Sequence, residues 1–212
     1  MNCPIVYEVD LYQTINGINN SKLRNFITYV FSPYRLLDKF MESAGSRNKH
    51  HAWPGGLAYH TIHAARLGKS IADSYNARGI KIDTDIVIAG ILLHDIGKIG
   101  TYIPDGVDDN GKVKYKHNES ALLHHHIPLG YSMIDKMIDE YNQDNCYYDI
   151  NVSSELRDKL LHIILSHHGR KAWSSPVLPQ FIEAYVVHIV EFMDGVIDKF
   201  NGGEIPDNLY DH

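Results

Sequence analysis

The sequence predicts an all-α fold, a single helical bundle with one small β-hairpin inserted. Three observations carry this. Apolar residues recur at spacings of three and four over most of the chain. The run "IVIAGILL" at 86–93 is apolar on every side, as a buried central helix must be. Strand-like alternation with turn dipeptides is clear only at 101–117. At 212 residues, with 44 % hydrophobic and 22 % charged residues, the chain suits one globular core.

Taken in order, "IVYEVDLY" (5–12) alternates and predicts one strand. "SKLRNFITYVF" (21–31) and "SPYRLLDKFMES" (32–43) predict two short helices, opening on Ser21 and Ser32 as caps. The next helix runs from Gly56 to Ala77 with an apolar stripe of Leu57, Ala64, Leu67, Ile71 and Tyr75. His60 falls inside that stripe and His63 at its rim. "DTDIVIAGILLHDIGK" (83–98) is the central helix, ending at Gly97, so His94 and Asp95 emerge at its C-terminal end. Residues 101–117 predict a hairpin turning at Asn110-Gly111. Helical spacing then resumes through Leu123, His126, Gly130, Met133, Met137 and Tyr141, with Pro128 in the first turn of the main helix. A helix from Ser153 to His168 puts Leu156, Leu160, Ile163 and His167 on one face. The last, Pro179 to Phe200, turns Ile182, Val186, Ile189, Val190, Met193 and Ile197 inward, and Asp194 shares their row. Residues 201–212 read as a loose tail.

Composition narrows the function. The net charge of −6 argues against a broad surface for duplex nucleic acid. Two cysteines, Cys3 and Cys146, cannot make a disulfide scaffold, and the N-terminus lacks the pattern of a secretory signal. No apolar run is long enough to span a bilayer. The expectation is a cytoplasmic protein without a membrane partner. The unusual figure is 14 histidines.

Their positions make the case. His60, His94 with Asp95, His126, His167 and Asp194 each lie on a helix face that its apolar neighbours mark as buried. Any one alone is most simply a satisfied core residue. Together they form a convergent set of imidazoles and carboxylates, and buried carboxylates need a countercharge or a metal. Nitrogen and oxygen donors without thiolate favour Mn, Fe, Co or Ni, with Mg or Zn also admissible. An aspartate can bridge two ions, and such a pair generates hydroxide near neutral pH and holds a phosphoryl group for in-line attack. Lys98, beside Asp95, can offset charge on a phosphate oxygen.

"LLHDIGK", with "GGLAYHT" upstream and an inward aspartate later, resembles the HD superfamily of metal-dependent phosphohydrolases. "HHAWPGGLAYHT", "LLHHHIPLG" and "ILSHHGRKAWSSPVLPQFIEA" are similar to the HD domain of the bacterial 3′-to-5′ exoribonucleases. The resemblance covers 48–200 and leaves 1–47 as a lead-in on the same core. It implies an HD-domain helical bundle in which His60, His94, Asp95 and a late acidic residue hold one ion. His126 with His167 or His168 would complete a second site bridged by Asp95, and His51 with Gly55 and Gly56 would shape the pocket mouth. A gapless match puts Glu191 at the late position; the apolar row favours Asp194, with Glu191 its rival. His124 and His125 compete with His126, which keeps the H-I-x-x-G frame.

The expected function is hydrolysis of a phosphoester in a nucleotide or short single-stranded oligonucleotide by a metal-activated hydroxide. Asp95 and Lys98 are the catalytic candidates, and Arg170 and Lys171 are candidate phosphate contacts. Trp53 and Trp173 are candidates for base stacking, although packing as loop anchors explains them more simply. The alternatives are an HD-type di-iron oxygenase, a cyclic-nucleotide phosphodiesterase and a metal-stabilised binding domain without activity. The sequence leaves the substrate, the metal and the oligomeric state open.

Overall fold

A computed structural model describes residues 4–49, 51–145 and 150–201. The elements are α1 (Pro4–Asn16), α2 (Ser21–Val30), α3 (Leu37–Glu42), α4 (Gly56–Asn76), α5 (Thr84–His94), β1 (Tyr102–Val107), β2 (Val113–His117), α6 (Glu119–His124), α7 (His126–Asp144), α8 (Ser154–Ser166) and α9 (Ile182–Asn201). The chain is mostly helical, with one two-stranded antiparallel hairpin pairing Tyr102 with His117 and Pro104 with Tyr115. Cys3, Cys146 and the proposed tail beyond Asn201 lie outside the described residues.

α5 is the axis of the bundle. Every residue from Ile86 to His94 is buried, which suits its all-round apolar sequence. Asp83 starts it, accepting hydrogen bonds from the backbone N–H groups of Asp85 and Ile86. α4, α7, α8 and α9 all pack against it. The leading helices join the same apolar cluster through Leu11, Ile15, Leu23, Phe26 and Phe31. No helix among the described residues is long and apolar enough to cross a membrane.

Several local expectations are corrected. Residues 5–12 are helical, not a strand: Leu11 and Ile15, one turn apart, are fully buried, and Val9 of the supposed alternation is exposed. Tertiary burial outweighs the β-branched bias of that stretch. The cap of α2 is Asn20, which accepts from the N–H of Leu23, rather than Ser21. Ser32 caps nothing, since α3 begins only at Leu37. In α4 the buried stripe is Leu57, His60, Ala64, Ala65, Gly68 and Ala72, and Tyr75 is exposed. α5 stops at His94, ahead of a single 3-10 turn at Ile96–Lys98. The helix read through Leu123 is two helices, leaving Leu123 outside the core. In α9 the buried residues are Ala184, Val186, Val187 and Val190; Ile182 and Ile197 are exposed.

Candidate metal centre

The centre forms where helix ends and helix faces meet around Asp95. Asp95 is the C-cap of α5 and is 1 % exposed. The 3-10 turn after it presses on the start of α7, and Gly97 makes this possible: a Cβ there would overlap the carbonyl oxygen of His126. His126 is the first residue of α7 and comes to lie beside Asp95 because of that approach. His60 points in from α4, His167 caps α8 with His168 next to it, and Glu191 comes from α9.

The two oxygens of Asp95 face two different groups. Its Oδ2 lies 3.3 Å from His94 Nε2 and 3.8 Å from His60 Nε2. Glu191 Oε2 completes this first group at 2.8 Å from His60 Nε2 and 3.2 Å from His94 Nε2. Asp95 Oδ1 lies 3.4 Å from His126 Nε2 and 3.6 Å from His167 Nε2, and His168 joins those imidazoles in the second group. Donor atoms of His60, His94, Asp95 and Glu191 all lie within 4.8 Å of one another, as do those of His126, His167 and His168 and, behind His60, those of His51, His60 and Asp194.

The outer nitrogens of the rings are tied down. His94 Nδ1 donates to the Ile91 carbonyl at 2.6 Å and His167 Nδ1 to the Ile164 carbonyl at 2.8 Å. His168 Nδ1 donates to the Trp173 carbonyl at 2.5 Å, and His60 Nδ1 to Asp194 Oδ2 at 2.6 Å. A carbonyl or carboxylate oxygen requires a proton on the facing nitrogen, so each Nε2 is turned to the centre, as in histidine ligands backed by an outer acceptor. The Nε2 atoms of His126 and His167 are buried with no hydrogen-bond partner, which is costly unless a cation fills the space. The donor set and these orphaned atoms fit divalent transition ions.

Electrostatics agree with a cation-shaped gap. Burial works against charge on His60, yet Glu191 and the hydrogen bonds to Asp194 and Glu191 raise it to about 9. His94 rises to about 10 against the same burial, through Asp95 and Glu191. Asp95 and Glu191 stay well below the carboxylate range despite burial, held there by Lys98 and His94 and by His60 respectively. Protons on His60 and His94 thus balance the carboxylates. Burial pushes His126 well down and His168 to about 3, leaving both neutral with free lone pairs.

The other expected residues fall into place around this core. Lys98 is buried, with Nζ 2.5 Å from Asp95 Oδ2, and that pairing raises its pKa against the cost of burial. Asp194 stands one layer behind His60, its Oδ2 also 2.9 Å from His51 Nε2. The structure therefore brings Glu191, not Asp194, among His60, His94 and Asp95. Glu191 continues the buried row Ala184–Val187; the row of Val186, Val190 and Ile197 that favours Asp194 in the sequence ends on an exposed Ile197. His51 has a φ of 56° and packs so tightly on Gly56 that a Cβ there would strike its carbonyl. Gly55 is the left-handed N-cap of α4.

His63 and His124 are exposed, and the His125 ring packs on His126 at 4.2 Å. Arg170 and Lys171 are exposed as well, and the Arg170 guanidinium lies 4.6 Å from the centre of the Trp173 ring. Trp53 packs edge-on to His51 at 5.1 Å. Lys49, His188 and Lys199, which the sequence reading did not single out, line a cavity beside Glu191. None sits in a motif; only the i, i+3, i+4 relation of His188 and Lys199 to the α9 ligand row could have marked them.

A fold built on a histidine-aspartate pair, with further histidines and a carboxylate around it, defines the class, and the HD domain profile matches residues 57–194. The chain belongs to the HD domain family. Similar proteins include the 3'-5' exoribonuclease YhaM of Bacillus subtilis, 29 % identical over 205 residues, covering 93 % of this chain and 58 % of that one. YhaM of Listeria monocytogenes is 28 % identical over 192 residues, covering 91 % and 54 %. YhaM of a Geobacillus strain is 26 % identical over 203 residues, covering 92 % and 56 %. The chain thus spans a little over half the length of these relatives. No solved structure matches it.

Proposed function

We propose that the protein is a metal-dependent phosphohydrolase cleaving a phosphoester of a nucleotide or short single-stranded oligonucleotide. The observation that carries this reading is the division of Asp95 between two ligand groups. His60, His94, Asp95 Oδ2 and Glu191 would hold one ion, and Asp95 Oδ1, His126, His167 and His168 a second. Such ions supply a nucleophilic water at neutral pH and charge stabilisation at phosphorus.

The chain's own residues do the rest. Lys98 keeps its proton and places a fixed positive charge beside Asp95, where phosphoryl oxygens gain negative charge. Asp194, itself bonded by His51, holds His60 through Nδ1, which keeps Nε2 aimed at the centre. Burial of His94, Asp95, His126 and His167 keeps bulk water from screening these charges. The naming of the relatives as exoribonucleases supports short RNA among the candidate substrates.

The test is hydrolysis of mononucleotides, cyclic dinucleotides and short RNA, with and without added Mn²⁺. Cleavage of at least one class that depends on the metal is expected. No turnover on any of them by protein loaded with Mn²⁺, Co²⁺, Ni²⁺ or Fe²⁺ contradicts the proposal.

A further inference from the structure

A cleft of about 290 Å³ runs along one side of α9 and starts at the metal centre. Its inner end is formed by His167, His168 and Glu191, which belong to both ligand groups. From there α9 contributes His188, Phe192 and Lys199, spaced so that they share one face of the helix. Lys49, from the segment before α4, lines the same cleft. We propose that this cleft is a subsite for the nucleotide next to the scissile phosphate: Lys49 and Lys199 receive that nucleotide's own phosphate, and the Trp173–Phe192 wall lies along its base. The inference rests on the phosphoesterase reading above and narrows it to substrates with at least two phosphates.

Three features fit such a ligand. The first is charge. In a chain with a net charge of −6, this cleft gathers two ammonium groups, Lys49 and Lys199, against the single carboxylate of Glu191, and ammonium groups so placed attract an anion. The second is the wall. The Trp173 and Phe192 rings are stacked, 5.5 Å apart and 5° from parallel. The bond from His168 Nδ1 to the Trp173 carbonyl ties this wall to the centre, so a base along it is placed relative to the scissile phosphate.

The third is size. Lys199 follows Glu191 by eight residues, about 12 Å along the helix axis. The volume is close to the lower bound of small-molecule sites, about 300 Å³. One nucleotide unit fits between the centre and the lysines. A dinucleoside monophosphate spends its single phosphate at the centre and brings none to the lysines; a trinucleoside diphosphate engages both places.

The experiment compares kcat/KM for a trinucleoside diphosphate with that for the corresponding dinucleoside monophosphate, using full-length Mn²⁺-loaded protein. In the wild type the longer substrate is favoured. In the double variant Lys49→Ala/Lys199→Ala that ratio falls about tenfold, chiefly through KM. Lys159→Ala, which removes a lysine paired with Glu155 elsewhere on the surface, keeps the wild-type ratio. A double variant with the wild-type ratio overturns the subsite. A parallel measurement separates this from failure of the phosphoesterase reading: equilibrium binding of a phosphorothioate-linked trinucleotide, which needs no turnover. If neither substrate is cleaved but the double variant binds this probe about tenfold more weakly, the hydrolase reading falls and the cleft stands. Equal affinities overturn the cleft. Melting curves confirm that each variant is folded.

Discussion

Glu191 and Asp194 lie one helical turn apart, and the proposed ligand sets give them different tasks that substitution can separate. Glu191→Gln removes a negative donor from among His60, His94 and Asp95, so one of two bound ions is lost. Asp194→Asn leaves the donors in place and loosens only the hold on His60 Nδ1. Both ions then stay, bound about 10- to 100-fold more weakly, as expected for an outer partner of a histidine ligand. Titration of each variant with Mn²⁺, followed by electron paramagnetic resonance, tells the two outcomes apart. A second expectation concerns pH. His60 and His94, raised to about 9 and about 10, carry protons at pH 7 where the proposed ion would bind. Binding must therefore displace protons, and affinity falls as pH falls below those values. Calorimetry in buffers of different ionisation enthalpy is expected to show proton release at pH 7; binding without release contradicts it. Most ligand candidates were legible in the sequence because each imidazole breaks an apolar helical row. The late carboxylate was less legible, because both acids lie near the buried face and both reach His60; they differ in the ring nitrogen they face, Asp194 at Nδ1 and Glu191 at Nε2 beside His94.

At the scale of elements, the centre depends on how closely the turn after α5 can approach α7. Gly97→Ala puts a methyl group into the backbone of His126 and Gly130, which cannot move aside as a side-chain tip can. The expected cost is about 1–3 kcal/mol or more. Each kcal/mol lowers Tm by roughly 2–4 °C for a chain of this size. Metal affinity should drop with it, because His126 moves away from Asp95. Asp83→Ala makes a useful contrast. It removes the cap of α5 at the opposite end, costs about 1 kcal/mol and leaves metal affinity unchanged. If both variants lose metal to the same degree, the packing argument fails. α4 and α8, with clear helical periodicity, and α5, apolar on every side, were legible to within a residue or two at most of their ends. α1 was not: eight residues of alternating β-branched and polar side chains mimic a strand, and only the buried pair Leu11 and Ile15 reveals the helix.

Over the whole molecule, the helices form one apolar cluster whose polar interruption is the group around Asp95. Burying so many ionisable side chains is unfavourable for folding unless something compensates, and bound ions that favour the native state would do so. The all-helical architecture with its hairpin followed from periodicity. The lysine-lined cleft did not, since Lys49 and Lys199 are 150 positions apart and meet only through the fold. The most direct test of the account is the number of transition-metal ions bound per chain, read by elemental analysis of folded protein after equilibration with Mn²⁺ and desalting. The account predicts two ions in the wild type and none in Asp95→Asn, because both groups share that carboxylate. A folded wild-type protein that retains no metal, or an Asp95→Asn variant that keeps both ions, would contradict it.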